Sequence, residues 1–343
     1  MTQQGKPLFH DVDIGNVHVS GNLFLAPLAG FTDLTFRSIC SSHGASIACS
    51  EMVSAEGLAR GSAGTEELLE RYEGEEQFII QIFGSETNQV ERALPRLLCY
   101  KPTVIDFNCG CPVPKVVKTG AGSALMKHPQ TIYAMVRAVR NQCDVPVSVK
   151  FRLGWDKDAI SWREFAQAAL EGGAQMLTMH ARTRSQGYSG VADWSRIAAL
   201  VDMVKQMSPN VPVFGSGDVF TPHDAQHMLE ETGVDGVMFA RGAIGNPFIF
   251  ERTKALLLSG QEPEAVPLET IIGTIMRHLT LLAERKGEEA ACRQMRGHAG
   301  SYLKGLPGSS RIRGLITQAT TVEDYRKALD SMEHACQGDS HNA

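Results

Sequence analysis

The chain has 343 residues, 43% hydrophobic and 21% charged, a composition close to that of soluble globular proteins, which excludes long disorder. At ~150 residues per domain this length allows about two domains, or one large α/β barrel with an appendage. No apolar run approaches the ~18–20 residues of a membrane span, and 33 basic against 38 acidic residues, a net charge of −5, exclude a globally basic nucleic-acid binder.

In chain order, residues 1–6 carry one charge and no apolar run, so no secretory signal is expected and a cytoplasmic location is. The eight cysteines (40, 49, 99, 109, 111, 143, 292 and 336) are too sparse for a disulfide scaffold and suit buried thiols in a reducing compartment. Strands are expected at Leu23–Pro27, Ile47–Met52, Phe78–Phe83, Val104–Asn108, Val147–Phe151, Met176–His180, Val211–Gly215 and Val237–Ala240. Segments with helical spacing separate most of them, such as Val90, Ala93, Leu94, Leu97 and Leu98. Eight strands with helical crossovers in about 230 residues read as an α/β chain with a (β/α)8 barrel. A doubly wound sheet is the alternative, but it usually needs a Gly-rich fingerprint after its first strand, and none is present. The pattern breaks around 253–267, at Ser259-Gly260-Gln261-Glu262-Pro263 and Pro267, and three or four helices follow. The expected division is a barrel over 1–255, a small all-helical C-terminal domain over 256–336, and a flexible tail over 337–343.

In such a barrel the active site lies at the strand C-terminal ends. Polar residues stand there on successive strands: Gln81, Asn108, Lys150, His180, Asp218 and Arg241. The loops after strands seven and eight, Gly215-Ser216-Gly217-Asp218 and Ala240-Arg241-Gly242-Ala243-Ile244-Gly245, combine small residues with one arginine, which suits a phosphate. Lys150 ends an apolar strand and needs an anionic or polar partner. It could form a Schiff base or stabilise negative charge on a cofactor ring, and the cysteine loop beside it favours the second. Asp106-Phe107-Asn108-Cys109-Gly110-Cys111-Pro112 opens a glycine-rich loop. Either cysteine could serve as nucleophile or proton donor, and spacing does not choose between them. Lys115 and Lys118 nearby are expected to lower the thiol pKa. The Cys109-Gly110-Cys111 pair has no second pair or histidine at zinc spacing, so no metal is expected.

Asp106-x-Asn108-x-Gly110-Cys111-Pro112 resembles the signature loop of the tRNA-dihydrouridine synthases. Ala26-Pro27-Leu28-Ala29-Gly30, Lys150-x-Arg152-x-Gly154, His180-Ala181-Arg182-Thr183, Gly217-Asp218, Arg241-Gly242 and Tyr302-Leu303-Lys304-Gly305 extend the likeness over nearly the whole chain. It is nearest to the bacterial B-type branch. The resemblance implies an FMN-dependent barrel and a helical RNA-binding domain. Pro27, Leu28, Ala29, Gln81, Lys150 and His180 would contact the flavin ring. Ser216, Gly217, Asp218, Ala240 and Arg241 would hold its phosphate. Asn108 would face the uracil and Cys111 would be the general acid, leaving Cys109 to packing. The family commonly has asparagine at Ser216 and often methionine at Leu28, changes that backbone contacts and an apolar contact respectively would survive.

The implied reaction passes hydride from NADPH to FMN and then to C6 of a D-loop uridine in tRNA, while Cys111 protonates C5. The uracil must first be drawn out of its stack. Between Arg277 and Arg313 stand eight basic residues (277, 285, 286, 293, 296, 304, 311, 313) and three acidic ones (284, 288, 289), a local excess of five. Lys115, Lys118, Arg152, Arg182 and Arg184 flank the expected barrel mouth. Together with Lys304, Arg311 and Arg313 they are the expected tRNA contacts. No stable protein partner is expected, and a monomer is the simplest state. A flavin barrel acting on a free pyrimidine is the first competing reading and needs no basic appendage. A non-catalytic RNA-binding module is the second and needs neither Cys111 nor Lys150.

Overall fold

Short runs that alternate side chains between two faces dominate the first 240 residues, and the two faces become two separate cores. The computed structural model describes residue 5 and residues 7–339. Strands β1 (Val12–Ile14) and β2 (Val17–Val19) form an antiparallel hairpin. Eight parallel strands then close a ring: β3 (Leu23–Leu25), β4 (Ile47–Cys49), β6 (Phe78–Phe83), β7 (Val104–Cys109), β8 (Val147–Arg152), β9 (Met176–His180), β10 (Val213–Ser216) and β11 (Gly236–Phe239). β11 pairs back onto β3, β4 pairs with β6, and the two-residue β5 (Val53–Ser54) lies on the other stretch of β6. This is a TIM barrel.

Nine short or medium α-helices lie between the strands, α1 (Leu34–Ser42), α2 (Ala55–Ala59), α3 (Ala63–Glu66), α4 (Thr87–Cys99), α5 (Pro114–Val117), α6 (Pro129–Arg140), α7 (Trp162–Gly172), α8 (Trp194–Met207) and α9 (Pro222–Thr232), and α10 (Ile249–Ser259) follows the last strand. Their apolar stripes recur at helical spacing, as with Val90, Ala93, Leu94 and Leu97 on α4. Helix α9 starts on a capping box between Thr221 and Asp224, with Pro222 in its first turn. The outward strand residues, among them Leu25, Ile80, Phe107, Cys109, Val149 and Phe239, pack under these helices. The alternate set, Phe24, Ile47, Ile79, Val104, Met176, Phe214 and Met238, fills the barrel and shares its core with Val12, Ile14 and Val19 of the hairpin. The hairpin therefore plugs the barrel. Burial of each such side chain contributes about 1.5–3 kcal/mol.

Beyond the coil at 260–267, α11 (Leu268–Lys286), α12 (Glu288–Tyr302), α13 (Ser309–Gln318) and α14 (Val322–Asp339) surround a core of Ile275, Leu279, Met295, Tyr325 and Leu329 that also takes in Phe248 of the barrel. The boundary expected at 255 falls inside α10, whose Ile249 and Phe250 belong to the barrel core. Helix α14 runs on through Asp339, past the expected end at 336, while 340–343 lie outside the described residues. No helix among the described residues is long and apolar enough to cross a membrane.

The two units meet closely. Arg285 and Lys286 of α11 pair with Glu70 and Glu67, and Gln294 of α12 donates to Asp33 at 2.6 Å. Gly245, at φ +70°, brings the loop after β11 so near α12 that a Cβ would stand 2.3 Å from the Tyr302 nitrogen. Gly245→Ala is therefore expected to cost about 2 kcal/mol or more, from backbone strain and a forced separation. A thermal melt of the flavin-loaded protein checks this, with an unchanged midpoint contradicting it.

Candidate active site

Period-two alternation sends Gln81 of β6, Asp106 and Asn108 of β7, and Ser148 and Lys150 of β8 into the barrel. It sends Cys109 outward, where it is wholly buried among apolar side chains. Cys111, two residues further on, stands half-buried on the wall of a cavity of about 470 Å³ at the strand C-terminal ends. The same cavity is lined by all the other residues expected to meet a cofactor: Pro27, Leu28, Ala29, Gln81, Lys150, His180, Ser216, Gly217, Asp218, Ala240 and Arg241. Asn108 and Arg152 line it too, as do Phe31, Met52, Tyr188, Phe220 and Met238, which sequence reasoning did not single out.

The Lys150 side chain, on a strand paired to β7 and β9, has no hydrogen-bond or ion-pair partner among the described residues. Burial, with the Arg152 charge adding to it, pulls its ammonium down to about 8. Burial pushes the Cys111 thiol up, and the Val113 amide and the Arg152 and Lys150 charges offset this only in part. Sequence reasoning expected Lys115 and Lys118 to lower that pKa. Both are instead exposed on and beside α5, and the thiol keeps its proton at neutral pH.

Two arginines expected to contact RNA are buried and bonded within the chain. Arg182 is 1% exposed and donates to both Asp218 carboxylate oxygens, at 2.7 and 2.6 Å, and to the carbonyls of Ser189 and Gly190. Arg152, 2% exposed, donates to the carbonyls of Gly110, Thr183 and Gly187, tying the Cys111 loop to the loop after β9. Arg184 is half-buried against Trp155, its guanidinium carbon 4.6 Å from the ring centroid. Arg182 also donates to His180 Nε2 at 3.3 Å. Since a guanidinium cannot accept, the ring proton sits on Nδ1. Burial and then the four neighbouring cations, Arg152 foremost, push His180 well below its ordinary pKa, so it is neutral.

The strand-seven and strand-eight loops make the anion end of the cavity. Gly217 (φ +110°) and Asp218 (φ +58°) turn their backbone through left-handed conformations, as an amide nest requires. Burial pushes the Asp218 carboxyl up, but Arg182, the Ala192 amide and Arg241 outweigh it and hold the carboxyl below its usual value. The side chain is thus engaged with arginine, and only the backbone here is free to meet an anion. Arg241 has one loose contact to Asp218 at 3.5 Å and lies against Tyr188 and Phe220, leaving guanidinium donors for a ligand.

The chain matches the family model described as Dihydrouridine synthase (Dus) over residues 24–337. A probable tRNA-dihydrouridine synthase of Treponema pallidum (strain Nichols) is 43% identical over 332 residues, covering 95% of this chain and 97% of that protein. The chain belongs to the dihydrouridine synthase family. It is accordingly a flavin-dependent oxidoreductase. The tRNA-dihydrouridine synthase B of Pseudomonas syringae pv. tomato is 36% identical over 91% of each chain. Among solved structures, histamine dehydrogenase from Rhizobium sp. 4-9 matches with a TM-score of 0.57 at 14% identity. That likeness covers 80% of this chain and 51% of that one, so this chain spans about half of the enzyme, and it concerns the barrel fold.

Proposed function

We propose that this protein uses FMN to reduce uridines in the D-loop of tRNA to 5,6-dihydrouridine, with NADPH as reductant. The observation that carries the reading is the pairing, in one cavity, of the half-buried Cys111 thiol on the wall with a Lys150 side chain that has no ion-pair partner among the described residues. The donor set fits FMN. An amide nest and Arg241 suit the phosphate, and Ala26, Leu28, Met52 and Met238 give apolar walls for a flat ring. Lys150 suits a ring edge that becomes anionic. Bound there, FMN supplies the hydride for C6 of the uracil.

The chain's own residues do the rest. Asn108 presents an amide N–H to a uracil carbonyl. Cys111 holds a proton that C5 must receive, and a thiol kept un-ionised by burial is the right form for a donor. Neutral His180 and the cationic Arg152 line the same wall and present donors without taking the proton. The exposed Tyr188 and Phe220 beside Arg241 suit contact with bases drawn out of a stack.

The basic face expected for tRNA shrinks when its partners are counted. Arg285 and Lys286 pair with the barrel, Arg293 with Glu289, and Arg296 donates to the Ala319 carbonyl. Arg277 donates to Ser42. Lys304, Arg311 and Arg313 are exposed with no ion pair among the described residues, as are Lys115 and Lys118 by the Cys111 loop. These five are the phosphate contacts of the proposal, made by a cytoplasmic monomer. Joint reversal of Arg311 and Arg313 to glutamate is expected to raise the tRNA dissociation constant about tenfold or more and to flatten its salt dependence by about two ions. Flavin reduction by NADPH should stay unchanged. Filter binding across a salt series checks this, and unchanged affinity rejects the face. The chemistry itself is tested by mixing NADPH-reduced protein with unmodified tRNA without oxygen. Return of the oxidised flavin band is expected, and a band that stays bleached contradicts the proposal.

A further inference from the structure

Asp106 is wholly buried inside the barrel, and its two oxygens accept from different strands. Oδ1 accepts from the Ser148 hydroxyl at 2.6 Å, and Oδ2 accepts from Gln81 Nε2 at 2.6 Å. Burial pushes this carboxyl up, and the two donated bonds and the nearby Lys150 charge offset this only in part. Backbone N–H groups only donate, so the Gly110 and Cys111 amides hold Asn108 Oδ1, Asn108 Nδ2 meets Gln81 Oε1, and Gln81 Nε2 is turned to the Asp106 oxygen that accepts it. Asn108 Nδ2 donates to Gln81 Oε1 at 2.6 Å. Asn108 Oδ1 accepts from the backbone nitrogens of Gly110 at 3.2 Å and Cys111 at 2.9 Å. The remaining Nδ2 hydrogen has only the Met52 sulfur, at 3.9 Å, and is left for a ligand.

We infer that Asp106 is a positioning residue whose acceptor oxygen, bonded in series to Gln81 and Asn108, holds both the donor offered to the uracil and the seat of the Cys111 loop. The inference rests on the uridine reading for its catalytic consequence, but its geometric consequence stands apart from that reading. An asparagine at 106 has nearly the same shape and loses the constraint. Only with its Nδ2 turned to the Ser148 hydroxyl does it keep the network; turned the other way, its amide donates to Gln81 Oε1. Gln81 then donates to Asn108 Oδ1, and Asn108 Nδ2 is left facing the N–H groups of Gly110 and Cys111. Two donors meet, and the loop that carries the thiol loses its anchor.

The test compares Asp106→Asn with Ser148→Ala in flavin-loaded protein. Asp106→Asn replaces the carboxylate itself, whereas Ser148→Ala removes one hydrogen bond to it and leaves Gln81 its acceptor, so Ser148→Ala reports the loss of one buried bond alone. Asp106→Asn should retain flavin. Its rate of Cys111 alkylation by iodoacetamide, mapped to the Cys111 peptide by mass spectrometry, should rise about tenfold, the size of one lost anchoring bond to the loop. Its kcat for uridine reduction should fall about 100-fold at unchanged KM for tRNA, a general acid's contribution lost through misplacement. Ser148→Ala should lower the melting temperature at least as much as Asp106→Asn while changing alkylation and kcat by under about threefold. Wild-type alkylation in Asp106→Asn overturns the inference, as does a Ser148→Ala variant that loses as much kcat. If wild-type protein leaves tRNA unreduced while Asp106→Asn still accelerates alkylation, the uridine reading fails and the positioning role stands.

Discussion

Replacing Cys111 with alanine is expected to lower the rate of uridine reduction by about 10²–10⁴-fold, the range that a positioned general acid contributes, while flavin content and flavin reduction by NADPH stay at wild-type levels. The reason is the division of labour around the cavity. Cys111 stands on the wall with its proton held by burial, whereas the groups suited to the cofactor are Lys150 and the two anion loops. Cys109→Ala is the control. Its side chain packs under the helices, so the variant should lose about 1 kcal/mol of stability and keep its turnover. Single-turnover kinetics of reduced enzyme with tRNA, beside a denaturant melt, measures both. A crippled Cys109→Ala with an intact Cys111→Ala would reverse the roles assigned here.

Lys150→Met should have opposite effects on stability and on catalysis. Burial brings the folded pKa of Lys150 to about 8, below its ordinary 10.5. Below about pH 8 the ammonium is charged in both folded and unfolded chains, and its burial cost is present in full. As pH rises from about 8 to 10.5 the folded protein gives up the proton while the unfolded chain keeps it, so stability increases across that window. The shift corresponds to a penalty on the order of 3 kcal/mol at neutral pH. Methionine removes it, so flavin-free Lys150→Met should be about 1–3 kcal/mol more stable than wild type at pH 7, and its stability should no longer rise between pH 8 and 10.5. Turnover should fall by about 10²–10³-fold, as when one preorganised charge is taken from an active site. Urea melts of the flavin-free proteins at several pH values decide the first part. A less stable methionine variant would mean that the attraction between Lys150 and the buried Asp106 carboxyl outweighs the cost of burial.

The barrel was legible in the sequence because its strands alternate and its helices carry stripes, and eight such pairs leave few other architectures. The hairpin that plugs it was overlooked, although Val12-Asp13-Ile14-Gly15-Asn16-Val17-His18-Val19 carries a readable signal of alternating β-branched residues about a Gly-Asn turn. The same period of two could have separated the cysteines, since Asp106 and Asn108 facing inward oblige Cys109 to face outward. It also marks Asp106, a carboxylate at an interior position, as a residue needing an explanation. Charge is what linear reading does not resolve. Arg285 and Lys286 are cancelled by Glu70 and Glu67, more than 200 residues earlier in the chain, and Arg182 by Asp218, 36 residues later. Whether an arginine faces a phosphate or holds two loops together depends on contacts that spacing does not encode.

Whether the Cys111–Lys150 cavity serves a uridine in tRNA is decided by one assay with two competing substrates. The protein, loaded with FMN and supplied with NADPH, would be offered an unmodified tRNA transcript together with free uracil or orotate, and products would be read by mass spectrometry. A gain of two hydrogens in the tRNA alone is expected, which nuclease digestion then locates in the D-loop. A gain confined to the free base would contradict the uridine reading, making the protein a reductase of small pyrimidines and leaving Lys304, Arg311 and Arg313 without a role.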